Sequence, residues 1–326
     1  MATYKEIKGT QIEAVASDPS NPVEGQVWYN TTSNALKGEA ATAVGAWATG
    51  GALNTTRNYA GGAGTYTAGL AFGGQSATPS KTAATETYNG SNWTSVNSMN
   101  TARRQFGGTG TQTAAITAND NTELWNGTNW TETTDLNTPR TSLMTSRGSS
   151  TSSVLVFGGI SPAPATVAVT ESWNGSAWTE VNDLNTARQV GGGAGSGNTS
   201  ALCFAGYSTT AVAITESWNG SNWTEVNDLN QARSGLGGTG TQTAAIAFAG
   251  YNSGLSPGYP TNTEIWNGTN WTEDTNLSTA GSAVGSLGTS TNALAFGGSP
   301  PVGGAFTNTE EWTGAGVGLT RTFTDS

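Results

Sequence analysis

The chain has 326 residues, a formal net charge of −10, no histidine and a single cysteine, Cys203. With no cluster of Lys or Arg it offers no electrostatic footprint for a phosphate backbone or an anionic membrane, so neither nucleic-acid binding nor membrane insertion is expected. Lack of histidine excludes His-dependent triads and His metal sites, and one cysteine excludes an internal disulfide or a thiolate cluster, so no metal and no cofactor is expected.

The 46 Gly and 10 Pro, together about 17% of the chain, stay below the roughly 25–30% of low-complexity chains. Twelve Trp demand a packed interior, and only 10% of residues are charged. Thr, Ser and Asn therefore carry most of the polar surface, a mixture that favours strands and turns over helices.

In chain order, Met1–Thr10 has no apolar core of a secretory signal, so synthesis in a cytoplasm without a signal peptide is expected. No apolar run approaches the ~20 residues of a bilayer span. Asn21–Gly38 reads as a hairpin: a strand over Gln26–Asn30, a polar turn over Thr31–Asn34 and a return through Leu36. Ala46-Trp47, followed by Leu53-Asn54-Thr55-Thr56-Arg57, then matches the end of a repeat unit that has no beginning before it.

From there a unit recurs. Thr-Glu-x-aromatic appears with its Glu at Glu86, Glu123, Glu171, Glu216, Glu264 and Glu310, at intervals of 37, 48, 45, 48 and 46 residues. A second Trp follows in five copies (Trp93, Trp130, Trp178, Trp223, Trp271), then an Arg: Arg103, Arg140, Arg188 and Arg233, with Arg57 the counterpart after Trp47. The fourth unit shows the expected strands: A near Val190–Ser196, B over Ser200–Gly206, C over Ile214–Trp218 and D over Asn222–Val226. Strand A is small and Gly-rich, as crowding about an axis requires. Cys203, in strand B, reads as a buried strand residue rather than a reactive thiol. Asn-Gly between C and D (Asn219-Gly220 here) is a strong hairpin signal. Four strands at a period near 45 residues with regular Gly and aromatic marks describe a propeller blade. The sixth unit lacks a D strand with the usual Trp. Either the Trp47 segment or Val317–Thr324 completes it, and both can add to one blade; such closure removes open sheet edges.

Residues 44–326 resemble kelch repeats. Gly73-Gly74, Gly158-Gly159 and Gly297-Gly298 end strand B, an acidic-x-aromatic strand C follows, and strand D carries a Trp. The second unit departs from the pattern with Thr117-Ala118-Asn119-Asp120, and strand C carries Trp instead of Tyr in five of six copies. The resemblance implies an all-β fold: a six-bladed kelch-type β-propeller of four-stranded antiparallel blades, preceded by an arm over residues 1–43. The phrases "NPVEGQVWYNTTSNALKG", "NGSNWTEV" and "GTQTAA" also resemble kelch-like structural proteins of marine tailed bacteriophages. That resemblance implies a virion component, such as a tail, fibre or capsid-surface protein, docked to other virion proteins through residues 1–43. It also implies a place on an extracellular particle and leaves room for a homo-oligomer. Galactose oxidase shares the kelch fold, but its copper needs imidazoles that this chain lacks.

The six Glu and five Arg recur at equivalent positions, and a residue repeated in every unit serves the repeat. They are expected to form hydrogen-bonded pairs, with the pair missing in the last unit, where Gly281 replaces Arg. Binding is expected instead on the B–C connections, which vary most between units. There Tyr207, Tyr251, Asn252 and Tyr259 join aromatic planes to amide donors, a combination suited to host-surface polysaccharide. No enzyme activity is expected. The competing readings are an intracellular kelch-type interaction scaffold and, behind it, a carboxylate-dependent carbohydrate-active enzyme.

Overall fold

A computed structural model describes residues 12–19, 26–41, 44–78, 80–302, 304–315 and 318–322. Among these there is no helix, and the strands form seven four-stranded sheets. Six sheets lie in one compact unit, residues 46–313, and the seventh in another, residues 1–45 with 314–326.

In the larger unit every sheet is antiparallel and repeats one order. The innermost strands are Gly61–Thr65, Gly107–Gly110, Met144–Thr145, Gly192–Gly197, Gly237–Gly240 and Gly285–Gly288. Each is followed by a short apolar strand such as Ala68–Phe72 or Val154–Phe157, then by the Thr-Glu-x-aromatic strand. The outer strand carries the second Trp. Both faces of the third strand are covered: in Thr170–Trp173 the Thr, Glu and Trp are all buried. The reason is sheet-on-sheet packing. Six apolar clusters hold the core, each between one sheet and the next, the last joining the sixth sheet to the first.

The two aromatic residues of each unit face each other across the hairpin, as Trp218 pairs with Trp223 at 5.4 Å between ring centroids. The outer Trp then packs on a Phe of the preceding sheet: Phe157–Trp223 and Phe204–Trp271 both at 4.9 Å. Its indole N–H donates to the motif Thr of that preceding sheet, as from Trp223 to Thr170 and from Trp93 to Thr309. One seam lacks this tie. Between the second and third sheets the Phe position holds Ala118, Trp178 donates to the carbonyl of Thr134, and the buried Thr122 Oγ1 has no partner. This is the unit in which the sequence departs from its own repeat.

The Asn-Gly turns differ from a two-residue hairpin. Four residues separate the paired aromatics; of Asn219 and Gly220 only Gly220 has positive φ (94°), and Asn219 Oδ1 accepts from the N–H groups of Ser221 and Asn222. The side chain thus substitutes for a turn hydrogen bond.

Ala46–Thr49 is the outer strand of the last sheet, with Trp47 opposite Trp312 and its indole donating to Thr263. The alternative closure through residues 317–324 does not occur. Gly318–Thr322 lies antiparallel to Ala35–Ala41 in the smaller unit, while residues 317, 323 and 324 fall outside the described residues. The C-terminal segment has no Trp to make the cross-strand pair and the indole tie that Trp47 supplies.

The residues that lead into the six inner strands form a closed ring of backbone hydrogen bonds. Tyr59 N–H donates to Ala283 C=O, Gln105 to Tyr59, Ser142 to Gln105, Val190 to Ser142, Gly235 to Val190 and Ala283 to Gly235, over 2.5–3.4 Å. All six are left-handed, with φ from 47° to 60°, and only one is Gly. Such φ values cost a non-Gly residue on the order of 1–3 kcal/mol, so the closed ring over-determines a conformation each residue would avoid alone.

In the smaller unit Glu13–Val15 runs parallel to Val27–Asn30, which pairs antiparallel with Ala35–Ala41 around a turn over residues 31–34. Residues 1–11 and 20–25 of the expected arm lie outside the described residues. Asp18 is the polar hub, accepting from Lys37 Nζ (2.7 Å), Asn30 Nδ2 (2.7 Å) and Trp28 Nε1 (3.0 Å). Those donors, Lys37 first, hold its carboxyl down to about 2 from 3.8. A depressed folded value stabilises above the unfolded value and is lost as pH falls through the folded one. The Trp28 indole N–H resonance is therefore expected to shift between pH 4 and 2, and Asp18→Asn to abolish that titration; a shift that survives the substitution would assign it elsewhere.

Candidate functional site

Each repeated Arg leaves the connection entering a sheet and meets the Glu of that sheet's third strand. The pairs are Arg57–Glu86, Arg103–Glu123, Arg140–Glu171 (2.5 Å), Arg188–Glu216 (2.5 Å) and Arg233–Glu264 (3.1 Å). The carboxylates carry more than the ion pair. Glu216 accepts from Asn185 N–H (2.7 Å), Asn185 Nδ2 (2.8 Å) and Thr186 N–H (3.3 Å), and Asn185 Nδ2 also reaches the carbonyl of Trp223. The same set recurs around Glu86, Glu123 and Glu171. Burial pulls the guanidinium groups of Arg57, Arg103, Arg140 and Arg233 below their ordinary value, while the facing carboxylates act in the opposite sense. Carboxylates occupied in this way have no free edge for a substrate proton.

Glu310 in the last sheet has no Arg. It accepts from Ser278 N–H and Oγ and from Thr279 N–H. Beside it a void of about 20 Å³, bordered by Gly281 and Phe306, marks where a guanidinium sits in the other sheets. Cys203 is buried opposite Glu216, and burial pushes its thiol up to about 11, so it is inert.

Of the predicted binding residues, Tyr251, Asn252 and Tyr259 lie between the second and third strands of the fifth sheet, whereas Tyr207 is the last residue of the strand Ser200–Tyr207 in the fourth. Tyr251 and Tyr259 form a tilted ring pair, centroids 4.9 Å apart, with Tyr251 39% exposed. Tyr207 stands on the preceding sheet, 41% exposed and outside that ring pair, its backbone bridged to Gln189. Asn252 is a brace between two connections: Nδ2 donates to Ala232 C=O at 2.7 Å, in the connection entering the sheet, and Oδ1 accepts from Gly254 N–H at 2.9 Å in its own. The aromatic pair is therefore the better-formed half of the expected site, and Asn252 supports it instead of facing a ligand.

A second concavity opens on the opposite edge, where the A–B turns converge. It encloses about 450 Å³, and every sheet lends it a Gly-Thr or Gly-Ser pair, from Gly64-Thr65 in the first to Gly288-Thr289 in the sixth. Toward the hydrogen-bonded ring lies a smaller space of about 70 Å³. Arg147 borders both. Its Nη1 lies 3.3–3.4 Å from the carbonyls of Gly62, Gly108 and Ser286, on three inner strands.

No protein-family model and no curated protein matches the chain. Among solved structures it is similar to the one titled "Structure of YjhT", a kelch-like propeller, with a TM-score of 0.67 and 11% identity over 83% of this chain and 99% of that one. The fold is a β-propeller. At that identity the likeness carries the fold alone.

Two features of the propeller interior escaped the sequence reading. The ring of left-handed residues has no side-chain signature, since Tyr, Gln, Ser, Val, Gly and Ala occupy its six positions. Arg147 did have a signal. Counted from the inner-strand residue level with the motif Glu (Gly62, Gly108, Thr145, Gly193, Gly238, Ser286), the second residue onward is Gly in five sheets and Arg147 in the third. The third connection also runs longer: Gly108 pairs with Thr117, whereas Thr145 pairs with Val156.

Proposed function

We propose that the chain is a six-bladed kelch-type β-propeller acting as a non-enzymatic structural and adhesion component of a virus particle. Its blade loops bind host-surface polysaccharide or other virion proteins, and residues 1–43 dock it to the particle. Six sheets, six inter-sheet cores and a six-membered backbone ring support the blade count. The observation that carries the binding reading is the division of labour among side chains. The recurrent carboxylates are buried in the blades, whereas Tyr251, exposed, and Tyr259, half-buried, form a ring pair on a B–C connection. The place on a tail, fibre or capsid surface rests on the resemblance of the repeat and hairpin phrases to tailed-phage proteins. In this reading the protein needs no cofactor and is found on the extracellular particle.

Antibody-labelled electron microscopy of intact particles tests the location. Label on the tail or capsid is the expected result; protein confined to the infected cell would leave the intracellular scaffold as the leading account. Polysaccharide binding tests the loop face. Tyr251→Ala is expected to weaken it about tenfold, the effect of one stacked ring worth ~1.4 kcal/mol, with the melting temperature unchanged. Unaltered binding would remove the tyrosine pair from the site.

A further inference from the structure

We infer that Arg147 and the channel around it form a binding site for a small oxyanion, a carboxylate, phosphate or sulfate group, on the face opposite the tyrosine pair. The channel breaks its own pattern at one place. Five sheets bring Gly to the level where the third brings Arg147, and a longer connection accommodates it. A residue that serves the repeat recurs with it, as the five paired Arg do; Arg147 does not recur.

Its electrostatic setting also differs from theirs. Each of the five repeated Arg side chains faces a Glu. Arg147 faces none: no acidic residue lines either the larger or the smaller space that it borders. Nη1 has only long contacts to three carbonyls, and Nε is sealed from solvent without any partner. Nη2 makes no hydrogen bond and is not among the sealed atoms, so it stays open to the channel. Burial alone lowers the guanidinium to about 10, which keeps it charged at neutral pH. Arg147 is only half-buried, so water reaches part of it, and the described residues that line the spaces around it supply no counter-charge.

The space beside it suits an anion from outside. About 450 Å³ falls within the range of small-molecule sites, and its lining includes the hydroxyls of Thr65, Ser149 and Ser196 and no carboxylate. Nη2 is the guanidinium nitrogen free to meet an oxyanion from the channel, in a charge-assisted hydrogen bond. The site does not depend on where the protein resides or on what the tyrosine face binds.

The test is calorimetric titration of the full chain with sodium phosphate and, separately, sodium acetate, at constant ionic strength. Saturable binding of at least one, with a Kd of about 1 mM or below, is expected. Arg147→Gln is expected to weaken it at least about tenfold, with Arg147→Lys in between. Phosphate without acetate would point to a phosphate or sulfate group, and acetate without phosphate to a carboxylate. Absence of saturation by either anion up to about 50 mM, or an Arg147→Gln variant that binds like the parent, overturns the site and leaves Arg147 as a clamp on three carbonyls. Should the variants fail to fold, crystals of the unaltered protein soaked in selenate decide the matter. Anomalous density within hydrogen-bond reach of Arg147 sustains the inference, and density only elsewhere, or none, refutes it.

Discussion

Arg188→Met is expected to lower stability by about 3–5 kcal/mol, the usual cost of leaving one member of a buried ion pair alone. Both side chains are fully buried, at 0% exposure. Removal of the guanidinium leaves Glu216 with its donors from Asn185 and Thr186 but no counter-charge, in a site water does not reach. Glu216→Gln should be comparably costly, since it strands the cation. The double change Arg188→Met with Glu216→Gln should recover much of the loss, because no charge is then left buried and the Gln carbonyl still accepts from Asn185. The last sheet is the internal control. Glu310 already lacks an Arg, and the void of about 20 Å³ beside it is large enough for one water. Glu310→Gln should therefore cost clearly less than Glu216→Gln. Guanidinium chloride melts of the variants measure all four; an Arg188→Met protein within about 1 kcal/mol of the parent would show that the pair is relaxed by solvent after all.

The repeat was legible because each recurring residue meets a recurring need. Thr accepts an indole, Glu gathers the connection that enters its own sheet, and the two aromatics close a hairpin and cover the neighbouring sheet. Such a need repeats in sequence as it does in space, so the recurrence of Thr170-Glu171-Ser172-Trp173 in six forms implies the interface that uses it. What the sequence left open involves partners with no local mark. Nothing local in Gly318–Thr322 tells whether it extends the last sheet or another; Ala46–Thr49 takes that edge and Gly318–Thr322 pairs with Ala35–Ala41. The left-handed ring is a property of backbone closure, invisible in Val190 or Tyr59 themselves. Asn252 looked like a free amide because sequence does not reveal that Ala232 and Gly254 engage it. Arg147 was hidden by the habit of reading strand A as uniformly small. The exception within a repeat is where function departs from architecture, and it appears only once the six strands are set in register.

The seam between the second and third sheets is expected to be the weakest, and paired tryptophan substitutions measure it. Trp223→Ala removes a 5%-exposed indole that packs on Phe157 at 4.9 Å and donates to Thr170 Oγ1 at 3.1 Å. A loss of about 3–5 kcal/mol is expected from the cavity and the buried surface. Trp178 is equally buried and keeps its cross-hairpin partner Trp173 at 5.1 Å. Across its seam, however, Ala118 stands where Phe157 stands for Trp223, and its indole donates to the carbonyl of Thr134. Trp178→Ala therefore forfeits no inter-sheet ring pair, worth about 0.5–1.5 kcal/mol elsewhere. Nor does it take a donor from a motif hydroxyl, since Thr122 Oγ1 is already without a partner, whereas Trp223→Ala removes the indole hydrogen bond to Thr170 Oγ1, worth about 1 kcal/mol, and leaves that hydroxyl only its 3.5 Å bond to the Ala168 carbonyl. Together these terms place Trp178→Ala about 1.5–2.5 kcal/mol below Trp223→Ala. Equal losses in the two variants would mean that the seam is compensated elsewhere. Hydrogen exchange supplies the second reading of the same asymmetry. A closed propeller opens where one interface yields first, so the amides of Glu123–Trp125, on the strand that contributes Thr122, should exchange before those of Thr170–Trp173. If the ring instead opens where Ala46–Thr49 completes the last sheet, that chain-terminal closure is the weaker joint despite its intact Trp47 tie to Thr263.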